Sequence, residues 1–230
     1  MSLKLDQVIP WGRCLDEYIG MFSLTSSDLK LAILDCAGGP ASFNAEMTRQ
    51  GKKVISCDPV YQFTAVEIGD RIQETYHTVI DAVKANVDGY LWNNFESPYQ
   101  LGSVRMKAMQ EFLEDFPSGL QQGRYMNAEL PVLPFENGQF DLALCSHFLF
   151  TDPHLSEKFH LEAITQMCRV AKEVRVFPLL GGSSGVESEH LDPIVTKLRN
   201  TSFHVKIDVV KYQFQKGGNE MLRVSKKSSA

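Results

Sequence analysis

No apolar run in this 230-residue chain reaches the roughly 18 residues that a membrane-spanning helix needs, and none follows the first basic residue as a secretory leader would. Neither export nor membrane insertion is expected. Basic charge is also scarce: 23 Lys and Arg stand against 28 Asp and Glu, a net charge of −5, so no general field draws the chain to nucleic acid or anionic lipid. There is no CxxC pair. The five cysteines, Cys14, Cys36, Cys57, Cys145 and Cys168, are odd in number, far apart and mostly inside apolar runs, which reads as reduced thiols in a cytosol and not as a disulfide frame. The spacing of Asp152, His154 and His160 matches no common metal site, and no metal is assigned. The Gly/Ser stretch 181–185 lacks the lysine and hydroxyl spacing of a phosphate-binding P-loop and reads as a flexible loop at the sheet edge. No composition shift marks a linker, so residues 1–230 are expected to form one domain, and nothing signals an oligomeric state.

What the chain does have is concentrated near its start. The apolar run Leu31-Ala32-Ile33-Leu34 leads into Asp35-Cys36-Ala37-Gly38-Gly39-Pro40-Ala41, and a helix-like stretch, 42–49, follows and stops at Gly51. A buried strand, a tight glycine turn and a helix start bring backbone N–H groups and a positive dipole end to one place, where an anionic ligand group can sit. A second apolar run, Val54-Ile55-Ser56-Cys57, ends in Asp58-Pro59. A carboxylate at that strand tip is placed to take the two hydroxyls of a ribose. An adenosine-containing cofactor is the expectation.

The turn lacks the late glycine of the dinucleotide pattern G-x-G-x-x-G: Ser42 stands there, and Pro40 falls in the first helical turn, where proline is tolerated. The stretch 35–41 instead resembles motif I of the class I S-adenosylmethionine-dependent methyltransferases, an acidic residue followed by G-x-G-x-G, with Ala37 and Ala41 replacing two glycines. A methyl group in a turn requiring positive φ would be strained, so ordinary dihedrals at these alanines or a slightly shifted cofactor are expected. A second segment carries the same likeness. Asn127-Ala128-Glu129-Leu130-Pro131-Val132-Leu133-Pro134-Phe135, followed by 140–147, is similar to the family stretch that flanks the adenine. The resemblance implies that Asn127, Ala128 and Glu129 meet the adenine ring, that Asp35, Ala37, Gly38, Gly39, Asp58 and Pro59 hold the rest of the nucleoside, and that Cys145 and Ser146 stand at the ligand edge of strand four. It covers about two-thirds of the chain, the exception being 60–122.

The order of elements agrees. Helix-like 12–22, with Leu15, Tyr18, Ile19 and Phe22 at helical spacing, precedes the first two strands. A third strand is expected near 123–130, a fourth at 140–145, a helix over 156–171, a strand at 174–177, a helix around 193–199, and strands at 203–210 and 220–224 joined as a hairpin through Lys216-Gly217-Gly218-Asn219. The tail from Ser225 reads as solvated. The expected fold is α/β: a doubly wound, mostly parallel seven-stranded sheet, a C-terminal antiparallel hairpin, and a helical insertion after strand two.

That insertion, 60–122, is long for a connection. Ile68, Ile72, Val79, Ile80, Val83 and Val87 suggest one apolar helix face, and Val104, Ala108, Phe112 and Leu113 another, with a break between Gly89 and Pro98 that gathers Tyr90, Trp92, Phe95 and Tyr99. These rings either line an apolar acceptor pocket under a cap or pack the inserted helices. Arg13, in Pro10-Trp11-Gly12-Arg13, either reaches the methionyl carboxylate of the cofactor or lies on a solvated helix face. His147 either acts as a base with a pKa near neutrality or is a buried structural histidine. Base-modifying amino methyltransferases carry N/D-P-P-Y/F after strand four and pyrimidine C5 enzymes a Pro-Cys nucleophile, whereas this chain has Leu144-Cys145-Ser146-His147-Phe148. The expected function is methyl transfer from S-adenosylmethionine to a small-molecule acceptor and not to nucleic acid. A non-catalytic S-adenosylmethionine-binding protein and a nucleotide-sugar or NAD enzyme remain as alternatives.

Overall fold

The computed structural model describes residues 4–182 and 185–227. Ser183 and Ser184 of the Gly/Ser stretch and residues 228–230 of the tail lie outside them. Seven strands form one sheet: β1 (Ala32–Cys36), β2 (Lys53–Cys57), β3 (Tyr125–Met126), β4 (Phe140–Ser146), β5 (Ala171–Phe177), β6 (Phe203–Val209) and β7 (Glu220–Lys226), in the order β3-β2-β1-β4-β5-β7-β6. β7 is antiparallel to both β5 and β6, and the other pairs are parallel. This is the sheet that the resemblance to the class I methyltransferases implies. The order reverses at β1 and β4, so the carboxyl ends of these two strands open the crevice in which such sheets bind ligands.

Helices cover both faces: α1 (Leu15–Phe22), α2 (Phe43–Arg49), α3 (Ala65–Ala85), α4 (Pro98–Gln121), α5 (Glu157–Val170) and α6 (Leu191–Arg199). Strand side chains alternate between the faces. Leu34, Cys36, Ala143 and Cys145 pack with Ile164 and Met167 of α5 and Ile194 of α6. Ile33, Leu142 and Leu144 pack with Tyr18 and Phe22 of α1 and with Phe43 and Met47 of α2. A third cluster joins Ile68 and Ile72 of α3 to Met109, Phe112 and Phe116 of α4 around Tyr61 and Tyr125. α3 begins in a capping box between Thr64 and Glu67, and Ser97 caps α4 just before Pro98.

Several boundaries differ from the sequence expectation. The first helix starts at Leu15, not Gly12, because its N-cap Cys14 is extended (φ −90°, ψ 171°) and Ser42 N–H binds the Arg13 carbonyl at 3.1 Å. β3 is only two residues long, since 127–135 turns away through polar residues and prolines after pairing with Ser56 and Cys57. β6 and β7 pair as expected, but the whole connection 210–219 joins them, with Gly217 at φ +79° in its turn, and not a tight bend at 216–219 alone. That connection is stitched to the break between α3 and α4: Leu91 N–H donates to the Phe214 carbonyl at 2.7 Å and Lys216 N–H to the Gly89 carbonyl at 3.0 Å. Phe214 then stacks on Tyr90 at 4.6 Å and meets Trp92 and Phe95 edge-on. Tyr99 is not part of this cluster, being 79% exposed, and Val87 lies beyond the end of α3.

Candidate functional site

The glycine turn after β1 is held from three sides. Gly39, at φ +52°, donates its N–H to Asp58 Oδ2 at 2.9 Å, and the Tyr61 hydroxyl donates to the Gly39 carbonyl at 2.8 Å. Behind it, a Cβ on Gly38 would stand 2.3 Å from Asp35 Oδ2, so only glycine fits there. Ala37 sits at φ +54°, which excludes the ordinary dihedrals anticipated for it, whereas Ala41 has no positive φ. The strain at Ala37 is therefore real. Strained backbone of this kind gathers at functional sites, and the facing strand tip carries another instance, His147 at φ +53°.

The N-terminal segment crosses the turn as a strap. A Cβ on Gly12 would lie 2.0 Å from the Pro40 carbonyl oxygen, so the two backbones touch. From α3, the Arg71 guanidinium binds the Val8 carbonyl at 2.8 Å and the Asp6 carbonyl, tying the strap down. Beneath it lies a cleft of about 280 Å³ between strap, turn, the tip of β2 and the tip of β4. Arg13, Ala37, Gly38, Gly39, Asp58, Ser146 and His147 line it, together with Trp11, Tyr18, Val60 and Phe148, which the sequence reading did not single out.

Other expected residues are elsewhere. Asp35 is 1% exposed and lies under the turn, taking hydrogen bonds from Tyr18 at 3.1 Å and Ser56 at 2.9 Å; it braces the cleft without lining it. Burial pushes its carboxyl up to about 7. Cys145 is fully buried on the α5 face of the sheet, because strand alternation sends it away from the cleft that Ser146 and His147 face. Cys57, Cys36 and Cys145 sit side by side across β2, β1 and β4, forming a floor of buried thiols. Pro59, Asn127, Ala128 and Glu129 do not line the cleft either; Asn127 and Glu129 are exposed just past β3, near the Asp58 edge. Asp58 itself has Oδ1 on the Val60 N–H at 2.8 Å, and burial lifts its carboxyl to about 6.

His147 does not have the near-neutral pKa anticipated for it. Burial first, then the charges of Arg13 and Arg105, hold it well below the usual histidine range, so the ring is neutral at pH 7. Its Nδ1 lies 2.8 Å from Ser146 Oγ. His160 is a structural residue: its ring accepts from Phe150 N–H at 3.0 Å and lies 2.8 Å from the Ser156 carbonyl. Among the described residues, no group of three or more His, Cys, Asp and Glu could hold a metal ion.

A second chamber of about 200 Å³ adjoins the cleft, sharing Trp11, Arg13 and His147 with it. Its remaining wall comes from α3 (Val79, Val83), the break (Tyr90), α4 (Arg105), the end of β5 (Phe177, Pro178) and the β6–β7 connection (Tyr212, Phe214, Gln215, Gly218). Arg105, 1% exposed, pairs with the buried Glu17, whose other oxygen accepts from the Tyr212 hydroxyl at 2.7 Å. Burial works against the Glu17 charge, but Arg105 prevails and keeps this carboxyl below its ordinary range. Arg13 binds only the Trp11 carbonyl, at 3.2 Å, and its Nε has no partner; burial, then Arg105, bring its pKa down to about 10. Nothing in the local sequence signals Glu17, Arg105 and Tyr212, which come together from three distant elements.

Among the described residues, no helix is long and apolar enough to cross a membrane. No protein-family model matches the chain. Among solved structures it is similar to magnesium protoporphyrin IX methyltransferase (ChlM) from Synechocystis PCC 6803 with bound SAM, at 14% identity, 88% of this chain, 73% of that one and a TM-score of 0.45. It is also similar to Burkholderia thailandensis 1,6-didemethyltoxoflavin-N1-methyltransferase (12%, 94% and 75%, TM-score 0.44) and to ribosomal protein L11 methylase from Lactobacillus delbrueckii subsp. bulgaricus (13%, 92% and 76%, TM-score 0.43). A full-length relative is more informative: with 30% identity over 226 residues, 96% of this chain and 97% of the other, the chain belongs to the same family as uncharacterized protein MJ0045 of Methanocaldococcus jannaschii.

Proposed function

We propose that the chain is an S-adenosylmethionine-dependent methyltransferase acting on a small-molecule acceptor, with 60–122 serving as a cap within a single domain. The observation that carries this reading is the pairing of the strapped glycine turn with Asp58 and a facing guanidinium in one cleft, next to an adjoining chamber with aromatic and aliphatic walls. The donor set suits the cofactor group by group. Gly38 and Gly39 leave the turn without side chains, and a Cβ on Gly39 would meet no atom within 4 Å. The Asp58 carboxylate keeps lone pairs for ribose hydroxyls beyond its two backbone bonds. Asn127, Ala128 and Glu129, near that carboxylate, would border the adenine, and the Arg13 fork matches a carboxylate at the methionyl end.

When bound, the cofactor would supply a methyl made electrophilic by its sulfonium, for the lone pair of an acceptor atom to take. The protein's share is positioning and exclusion of water. Trp11 and the strap cover the cleft, while Val79, Val83 and Tyr90 close the neighbouring chamber. His147, neutral and lining both spaces, would accept a proton from an O- or N-acceptor, as a weak base because burial depresses its pKa. Thermal unfolding with S-adenosylmethionine, S-adenosylhomocysteine and NAD tests the reading, since only a ligand preferring the folded chain raises its melting temperature. The two adenosyl sulfur compounds should raise it and NAD should not. The reverse result refutes the assignment.

A further inference from the structure

The second chamber joins aromatic walls to unbalanced positive charge. Arg105 and Arg13 both line it, yet no carboxylate does, and Glu17, behind the wall, is one acid facing two guanidiniums. Both arginines also leave a buried Nε without a partner. A buried cation lacking full compensation is unfavourable, so such a site gains by taking in an anion. Planar side chains are at hand: Tyr90 stacked on Phe214, and Phe177 beside His147, all line the chamber. The volume of about 200 Å³ is below the ~300–1,000 Å³ usual for drug-sized ligands, which favours one ring over a macrocycle.

We propose that the methyl acceptor is a small, single-ring planar molecule bearing a carboxylate, gripped by Arg105 together with the side of Arg13 that faces this chamber. The inference rests on the methyltransferase reading above and names its substrate class. The ring lies between the aromatic walls, and its reacting atom faces the opening that Arg13, Trp11 and His147 share with the cofactor cleft. A guanidinium held rigid by burial and by Glu17 favours a carboxylate over an amide or hydroxyl of the same shape.

Calorimetric titration of the S-adenosylhomocysteine-saturated protein with 4-hydroxybenzoate, and in parallel with 4-hydroxybenzamide, provides the test. The carboxylate should bind at least about tenfold more tightly, as expected for hydrogen bonds to a charged group. Equal binding overturns the proposal. The same titration without S-adenosylhomocysteine separates two sources of anion: if this ligand competes with the benzoate, the positive charge serves the cofactor's own carboxylate and the proposal falls. In the double variant Glu17→Gln/Arg105→Gln, checked for folding by circular dichroism, the carboxylate preference should shrink severalfold, and an undiminished preference removes Arg105 from the grip. Should S-adenosylhomocysteine itself fail to bind while the carboxylate preference persists, the methyl-transfer reading fails and the charged chamber stands.

Discussion

Replacing Ala37 by glycine should stabilise the protein, against the usual direction of core-adjacent substitutions. Ala37 has φ +54°, in the left-handed region, where an L-residue with a Cβ is disfavoured by roughly 1–2 kcal/mol. Glycine relieves that strain but gives the unfolded chain extra freedom, a loss of about 0.4–1 kcal/mol. From the midpoints of these ranges the net gain is about 0.8 kcal/mol, which for a domain of this size is a rise of roughly 2–3 °C in Tm. Ala41 offers the contrasting case: it lines the same cleft and has no positive φ, so Ala41→Gly relieves no strain, carries the entropic loss and the loss of a buried methyl, and should lower Tm. Thermal unfolding by circular dichroism, with urea midpoints at constant slope as a second measure, reads both. If the two variants shift in the same direction, the left-handed strain assigned to Ala37 is wrong.

Asp35→Asn should flatten the pH dependence of stability. Its carboxyl titrates near 7 in the folded chain against about 3.9 unfolded, so the fold holds the proton more tightly and stability falls as pH rises from about 4 to 7, by on the order of 4 kcal/mol. Urea unfolding of both proteins at pH 4.5 and 7.5 should show the variant losing much less across that interval. Gly12→Ala forces a Cβ to within 2.0 Å of the Pro40 carbonyl oxygen; the strap must lift, and both stability and S-adenosylhomocysteine affinity should fall, with an unchanged binding isotherm arguing against the strap as part of the cleft. Arg105→Met removes the ion pair of the buried Glu17 and leaves it the Tyr212 hydroxyl and the weaker attraction of Arg13, so it should be destabilising by about 3 kcal/mol, whereas Glu17→Gln/Arg105→Met should recover most of that in denaturant titrations.

The strand–turn–helix unit could be read from sequence because its signals are local: an apolar run, a glycine pair and a helix start fall within 31–51. Strands buried on both faces read as unbroken apolar runs, and the same property concealed the facing of Cys145. In Phe140-Asp141-Leu142-Ala143-Leu144-Cys145 neither parity is marked by polar residues near the ligand end, so period two cannot say which side chain enters the cleft. β3 was overdrawn because a strand at the sheet's edge, with one neighbour, need only be as long as its pairing with Ser56 and Cys57. The second chamber was hidden for a different reason. Arg105 and Tyr212 lie 88 and 195 positions from Glu17 along the chain, and no spacing rule operates at that distance. The rings at 90–95 were visible, but not that Phe214 sits among them, because the seam joining them to the β6–β7 connection is made by main-chain groups.

The row of Cys57, Cys36 and Cys145 beneath the cleft makes the protein its own breathing gauge. These thiols are at most 1% exposed, so maleimides or Ellman-type reagents have no access to them while the floor is shut, and burial lifts the Cys145 thiol to about 12, which leaves no thiolate there to attack. Whatever modification does occur there counts excursions that lift the covering layer off the α5 face of the sheet. A ligand seated above should slow that count, with no dye, tag or substitution introduced into the chain.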